Sequence, residues 1–137
     1  MSQRPQPFTF ASIAGDLRAI GLAEGDTVIV HTSLKQVGFV VSGPKALVEA
    51  LMSVVTESGT IVMPAFTADY TDPLYWTYQP PPRDWAEIVR SNLLPFDPAT
   101  TPSHRAGAVA ELFRTYPTVL RNDHPIASFA AWGRDAE

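Results

Sequence analysis

Residues 27–64 read TVIVHTSLKQVGFVVSGPKALVEALMSVVTESGTIVMP, and the order of the apolar runs inside this stretch decides the fold. Thr27-Val28-Ile29-Val30 is short and β-branched and follows the turn-former Gly25-Asp26, so it predicts a buried strand. Ser42 and Gly43 stand at a helix start with Pro44 in its first turn. Ala46, Leu47, Ala50, Leu51, Val54 and Val55 then recur at helical spacing, which predicts the longest helix of the chain. Ser58-Gly59 turns the chain into a second apolar strand, Thr60 to Pro64. Strand, helix, strand in this order predicts an α/β protein with a right-handed parallel crossover.

Upstream, Phe10, Ile13, Ala14, Leu17 and Ile20 form an amphipathic helix that Gly21 stops, behind a proline-containing surface arm over residues 1–8. Downstream, residues 65–82 are rich in aromatics, threonine and proline, and predict a long irregular loop of the kind that carries function or moves. A helix is expected from Asp84 to Ser91, with Asp84 as its cap and Trp85, Ile88 and Val89 facing inward. Another is expected from Ala108 to Tyr116, and a strand from Ile126 to Trp132. Residues 9–137 therefore read as one domain.

Hydrophobic residues make up 45% of the 137-residue chain and charged residues 18%, a composition that folds. There is no cysteine, so disulfides, thiolate metal sites and a cysteine nucleophile are excluded and a cytoplasmic setting is expected. The formal charge of −4 opposes general nucleic-acid binding and favours a cationic small molecule. No apolar run reaches the roughly 20 residues that span a bilayer, and neither a membrane partner nor a metal is expected.

In open α/β sheets ligands sit beyond the carboxyl ends of strands, where loop amides and the next helix start face an anion. Residues 31–43 occupy that place. Thr32 and Ser33 offer hydroxyls, Lys35 a cation, and Ser42-Gly43 precede a helix whose positive end suits phosphate. The same residues equally suit a capped turn and a solvated lysine, and spacing alone does not separate the two readings. The segment matches neither the dinucleotide fingerprint nor the phosphate loop of nucleotide hydrolases.

HTSLKQVGFVVSGPKALVEAL at 31–51, followed by GTIVMPAFT at 59–67, resembles the aminoglycoside 3-N-acetyltransferase family. So, in the same order and spacing, do Asp72-Pro73, PFDPATTPSHRAGAVAELFR at 95–114 and RNDHPIASFAAWG at 121–133. The resemblance implies a sheet flanked by helices, and transfer of an acetyl group from acetyl-coenzyme A to the 3-amino group of a 2-deoxystreptamine antibiotic, a resistance activity. It places coenzyme contacts on His31, Thr32, Ser33, Leu34, Lys35, Ser42 and Gly43, with Ser103 and Arg105 as further phosphate contacts. A cationic antibiotic calls for carboxylates, and Asp69, Asp72 and Glu111 lie in matching blocks. Asp72 before Pro73 also reads as turn chemistry, and Glu111 as an exposed helix carboxylate.

Amide formation needs a proton acceptor, for which a histidine is suited. His31 sits in the coenzyme loop, His104 in a polar turn, and His124 in RNDHP is the best of the three. The family's own catalytic histidine belongs to a later glycine-rich block that these residues lack. The base is therefore expected beyond Glu137 and the chain is expected to be an incomplete fold, the coenzyme-binding part without the catalytic part. Such a piece would self-associate or accept a complementary C-terminal half. The rival reading is a non-catalytic module that binds coenzyme A or a polyamine.

Overall fold

In the computed structural model, which describes residues 5–137, β1 (Thr27–Ile29) runs parallel to β2 (Thr60–Pro64), with Val28 opposite Ile61. The connection is α3 (Pro44–Val55), preceded by the single turn α2 (Leu34–Val37). The apolar stripe of α3 buries Ala46, Leu47, Val48, Ala50, Leu51, Val54 and Val55. It lies on one face of the sheet against Ile61, Met63, Ala130 and Trp132, and α1 (Phe10–Ala19) and α5 (Ala108–Phe113) pack beside it. Each such fully buried aliphatic side chain contributes about 1.5–3 kcal/mol, so this single layer of helices supplies most of the core. Thr9 caps α1 reciprocally with Ser12, whose backbone N–H donates to Thr9 Oγ1 at 3.1 Å.

The sheet has the order β1-β2-β4-β3. β4 (Phe129–Gly133) pairs antiparallel with β2, and the two-residue β3 (Leu120–Arg121) pairs antiparallel with β4. The expected final strand is thus present but starts three residues later, because residues 122–128 form a turn, and β3 was not expected because two residues carry no periodicity.

Two expectations are corrected. β1 is not a buried strand: it is an edge strand covered on one face only, so Val28 is half-buried and Ile29 is 62% exposed. The helix expected at 84–91 is α4 (Ala86–Asn92), entered through a 3₁₀ turn at Arg83–Trp85, and Asp84 makes no cap. It rests on the turn Pro73–Tyr75 rather than on the sheet, so it buries Ala86 while Trp85 and Ile88 stay exposed. Of the arm expected over residues 1–8, residues 1–4 lie outside the described residues. Phe8 forms a parallel bridge with Val40, its N–H donating to Phe39 O at 2.9 Å.

Gly133 lets the end of β4 close onto β2: a Cβ there would stand 2.0 Å from Gly59 O, and its φ is +112°. Beyond it, Arg134 N donates to Gly59 O at 2.8 Å and Asp135 N to Thr60 Oγ1 at 3.0 Å. Gly133→Ala is therefore expected to lower stability by at least about 2 kcal/mol in urea unfolding. Gly15→Ala, in α1 with nothing within 4 Å of the new methyl, is expected to raise it by about 0.5–1 kcal/mol.

Candidate functional site

Parallel pairing makes β1 and β2 end at the same edge of the sheet. Val30 N still donates to Val62 O at 2.9 Å, and then the chain leaves the sheet at His31. Ser33 occupies the cap position of α2 but makes no side-chain cap bond. His31, Ser33 and Lys35 are exposed and Thr32 and Leu34 half-buried. Among the described residues none of these side chains takes part in a hydrogen bond or ion pair, so the hydroxyls and the ammonium stand open to a ligand.

The 103–107 block reaches this loop through backbone contact. Gly107, at φ +91°, lies so close to Thr32 that a Cβ would stand 3.4 Å from Thr32 O. His104 N donates to Phe66 O at 2.7 Å, and Thr67 bridges His104, which fixes the block against the continuation of β2. Arg105 is held at φ +69°, a left-handed conformation that costs a non-glycine residue free energy. Its guanidinium lies 5.3 Å from the Tyr78 ring centroid.

Beside it opens a cleft of about 90 Å³ lined by Asp69, Thr71, Tyr75, Trp76, His104 and Arg105, among others. Trp76 Nε1 donates to Thr71 O at 3.1 Å and so fixes one aromatic wall. Asp69 Oδ1 is shielded from solvent with no hydrogen-bond partner, 3.5 Å from His104 Nδ1. Asp69 and Arg105, assigned in sequence to different ligands, thus share one cleft with opposite charges. Tyr78 and His104 complete it; His104 stands in the 95–114 block, and the tie between residues 66–67 and 104 brings it to the cleft.

Other sequence-derived candidates lie elsewhere. Asp72 caps Leu74 N at 3.0 Å and is gripped by Arg90, with Nη2 at 2.9 and 3.0 Å and Nε at 3.1 Å. The Arg90 guanidinium, with the Leu74 N–H, holds this carboxyl below the usual carboxylate range. Ser42 lines a separate groove of about 410 Å³ against α1, with Phe10, Val41 and Lys45. Ser42 and Gly43, with φ +67° and +56°, bend the chain into α3. His124 Nδ1 accepts from Ile126 N at 3.2 Å and Ala127 N at 2.9 Å, a turn-forming role.

Ser103 and Glu111 are brought together, but onto each other. Glu111 Oε2 accepts from Ser103 N at 2.7 Å, from Ser103 Oγ and from Arg114 Nε at 2.8 Å, and Oε1 pairs with Arg114 Nη2. Arg121 ties the same region to the sheet, donating to Ala65 O at 2.9 Å, Ser128 Oγ at 3.0 Å and the carbonyl of Thr101. Burial and the like charge of Arg114 lower the Arg121 pKa. Burial alone would raise the Glu111 carboxyl, but the bonds from Arg114 and Ser103 outweigh it and the net direction is down. Glu111 therefore contributes stability that is full above an ordinary carboxyl pKa of about 4.3 and is lost as pH falls through its lower folded value. Glu111→Gln is expected to lower the urea midpoint at pH 7, and to shrink its fall between about pH 4.5 and pH 2 relative to the parent chain. An unchanged pH profile would remove Glu111 from this role.

Among the described residues no group of three or more His, Asp or Glu is placed to hold a metal ion, and no helix is long and apolar enough to cross a membrane. A family model described as aminoglycoside 3-N-acetyltransferase matches residues 29–137. The SPbeta prophage-derived aminoglycoside N(3')-acetyltransferase-like protein YokD of Bacillus subtilis is 46% identical over 129 residues, 93% of this chain and 47% of its own length. Its crystal structure superposes with a TM-score of 0.90 at 45% identity, covering 95% of this chain and 52% of that one. Aminoglycoside N(3)-acetyltransferase VII of Streptomyces paromomycinus is 37% identical over 95% of this chain and 44% of its own. The structure of AAC-IIIb binary with CoASH gives a TM-score of 0.78 at 35% identity, covering 96% of this chain and 48% of that one. The chain spans about half the length of these relatives. With the family model covering residues 29–137 and these relatives matching nearly all of it, the chain belongs to the aminoglycoside 3-N-acetyltransferase family.

Proposed function

We propose that this chain is the coenzyme-binding part, residues 9–137, of an enzyme that transfers the acetyl group of acetyl-coenzyme A to the 3-amino group of a 2-deoxystreptamine aminoglycoside. The observation that carries the reading is the seat of Gly107 on the Thr32 carbonyl. It sets the open hydroxyls of Thr32 and Ser33 and the Lys35 ammonium at the same end of the sheet as Arg105 and the Asp69 cleft. The residues present fit a pyrophosphate-bearing donor: two cations and two hydroxyls stand near the carboxyl end of β1, and Lys35 is free of ion pairs among the described residues. Charge-assisted bonds from such cations to phosphate are about twice as strong as neutral ones.

In this reading Lys35 and Arg105 hold phosphate oxygens, and Thr32 and Ser33 orient the donor. Asp69 accepts a hydrogen bond from an ammonium of the antibiotic, while Tyr75, Trp76 and Tyr78 wall one sugar ring. Acetyl-coenzyme A bound here presents the thioester; the amine nitrogen forms the new C–N bond, the C–S bond breaks, and coenzyme A leaves as its thiolate, which takes up a proton to become the thiol. The proton of the attacking amine goes to a base from the glycine-rich histidine block, which these 137 residues do not contain. Asp72 and Glu111 position their loops through Arg90 and Arg114. The AAC-IIIb complex with CoASH supports the donor.

Calorimetric titration separates the parts of this reading. Acetyl-coenzyme A is expected to bind the chain, with Lys35→Ala weakening it about tenfold, the loss of one charge-assisted phosphate contact. Asp69→Asn is expected to weaken gentamicin or kanamycin binding about tenfold and leave coenzyme affinity unchanged. No coenzyme binding would overturn the proposal. Thiol release with antibiotic present tests transfer itself; binding without release, even with the missing block supplied, would leave a binding module in its place.

A further inference from the structure

Thr67, fully buried, fixes two residues of the cleft at once. Its N–H donates to Ile126 O at 2.9 Å and its hydroxyl to Pro125 O, so it is tied to the turn before β4. Asp69 follows two positions later in the 3₁₀ turn Ala68–Tyr70, where Tyr70 N donates to Thr67 O at 3.0 Å. From the other side His104 bridges Thr67 and gives its N–H to Phe66 O. The two backbones are thus held to one anchor, and His104 Nδ1 comes to lie 3.5 Å from Asp69 Oδ1. That oxygen is shielded from solvent and has no hydrogen-bond partner. The Asp69 side chain is otherwise 36% exposed, which leaves Oδ2 as the oxygen that an incoming group can reach.

A carboxylate oxygen cut off from water and left unpaired costs folding free energy, and a donor about 0.5 Å closer than this imidazole would satisfy it. Because the backbone of residue 104 is tied down, a small rotation of the ring is the movement required. We propose that His104 is a positioning residue for antibiotic binding: its Nδ1–H closes on the inner oxygen of Asp69 as an ammonium takes the outer one. The ring then fixes the plane of the carboxylate and aims Oδ2 into the cleft, without itself touching the antibiotic. A neutral imidazole donates one N–H and adds no charge, so the carboxylate keeps its full attraction for a cation. A guanidinium in that place would neutralise it, as Arg90 does at Asp72 and Arg114 at Glu111. Arg105, the cation of the same cleft, lies over Tyr78 instead, and among the described residues the ion-pair partner of Asp69 is His104. The inference rests on the reading of Asp69 as the acceptor for the antibiotic's ammonium.

The test is calorimetric titration of four variants of the chain with gentamicin and, separately, with acetyl-coenzyme A. His104→Ala is expected to weaken gentamicin binding about fivefold or more, the worth of one hydrogen bond to a carboxylate, and to leave coenzyme affinity within about twofold. His104→Asn, whose amide nitrogen stands near the place of Nδ1, is expected to restore gentamicin affinity to within about twofold of the parent. With Asp69→Ala already present, His104→Ala is expected to cost nothing further, because no carboxylate is left to position. The His104 side chain is 44% exposed, so its loss is expected to leave circular dichroism and melting unchanged. Gentamicin binding that Asp69→Ala weakens and His104→Ala does not would overturn this inference and leave the proposed function standing. So would a loss that His104→Asn fails to restore, a loss that persists in full beside Asp69→Ala, or an equal loss of coenzyme affinity. No gentamicin binding by the parent chain, or binding indifferent to Asp69→Ala, would overturn the reading of Asp69 and this inference with it.

Discussion

Parallel hydrogen bonding between β1 and β2, with Val28 opposite Ile61, sets the direction in which the chemistry-bearing parts of this molecule can face. Parallel strands end at one edge, so the His31 loop and the Ala65 exit emerge side by side although 34 positions separate them. An antiparallel hairpin would have sent them to opposite ends. The crossover α3 holds the pair in this sense by burying its apolar stripe on Ile61 and Met63. Because β4 is antiparallel to β2, it enters at that same edge and brings the turn at His124 with it.

What makes this edge a site rather than a set of loops is how its backbone is tied. Phe66 O takes the His104 amide, Gly107 seats on Thr32 O, and Glu111 grips Ser103. Arg121 holds the carbonyls of Ala65 and Thr101 from below. The bonds from Ser103 to Glu111 and from Arg121 to these carbonyls are partly buried, where each is stronger than in water and costly to leave half made. They leave over a strained Arg105 and a carboxylate oxygen of Asp69 without a partner, which is where free energy has been withheld from folding. Carboxylates that serve the scaffold, Asp72 and Glu111, carry strong guanidinium partners; Asp69 does not.

The apolar order of residues 27–64 was enough to read the parallel crossover, because strand and helix periods are local properties. The same locality explains the failures. Thr27 to Val30 looks buried by composition, but burial depends on how many faces and edges are covered, and β1 lies at the edge with one bare face. Trp85 and Ile88 share a helical stripe with Val89, yet α4 has only a loop to rest on. For the site, the resemblance in four blocks marked the 31–35 loop and the 103–107 block. Only the fold shows that Thr32 meets Gly107, that Ser42 lines a different groove, and that Glu111 is paired to Arg114. Nothing within a few residues of Tyr78 or of His104 encodes that the two line one cleft.

The central claim is that the 31–35 loop and the 103–107 block act as one surface at the carboxyl edge of the parallel pair. Titration of the ¹⁵N-labelled chain with coenzyme A, followed by amide chemical shifts, tests it most directly. The account predicts that the amides of residues 31–35 and 103–107 shift together along a single binding curve. Shifts confined to one of the two segments, or gathered instead around Ser42 and Lys45 in the groove against α1, would contradict it.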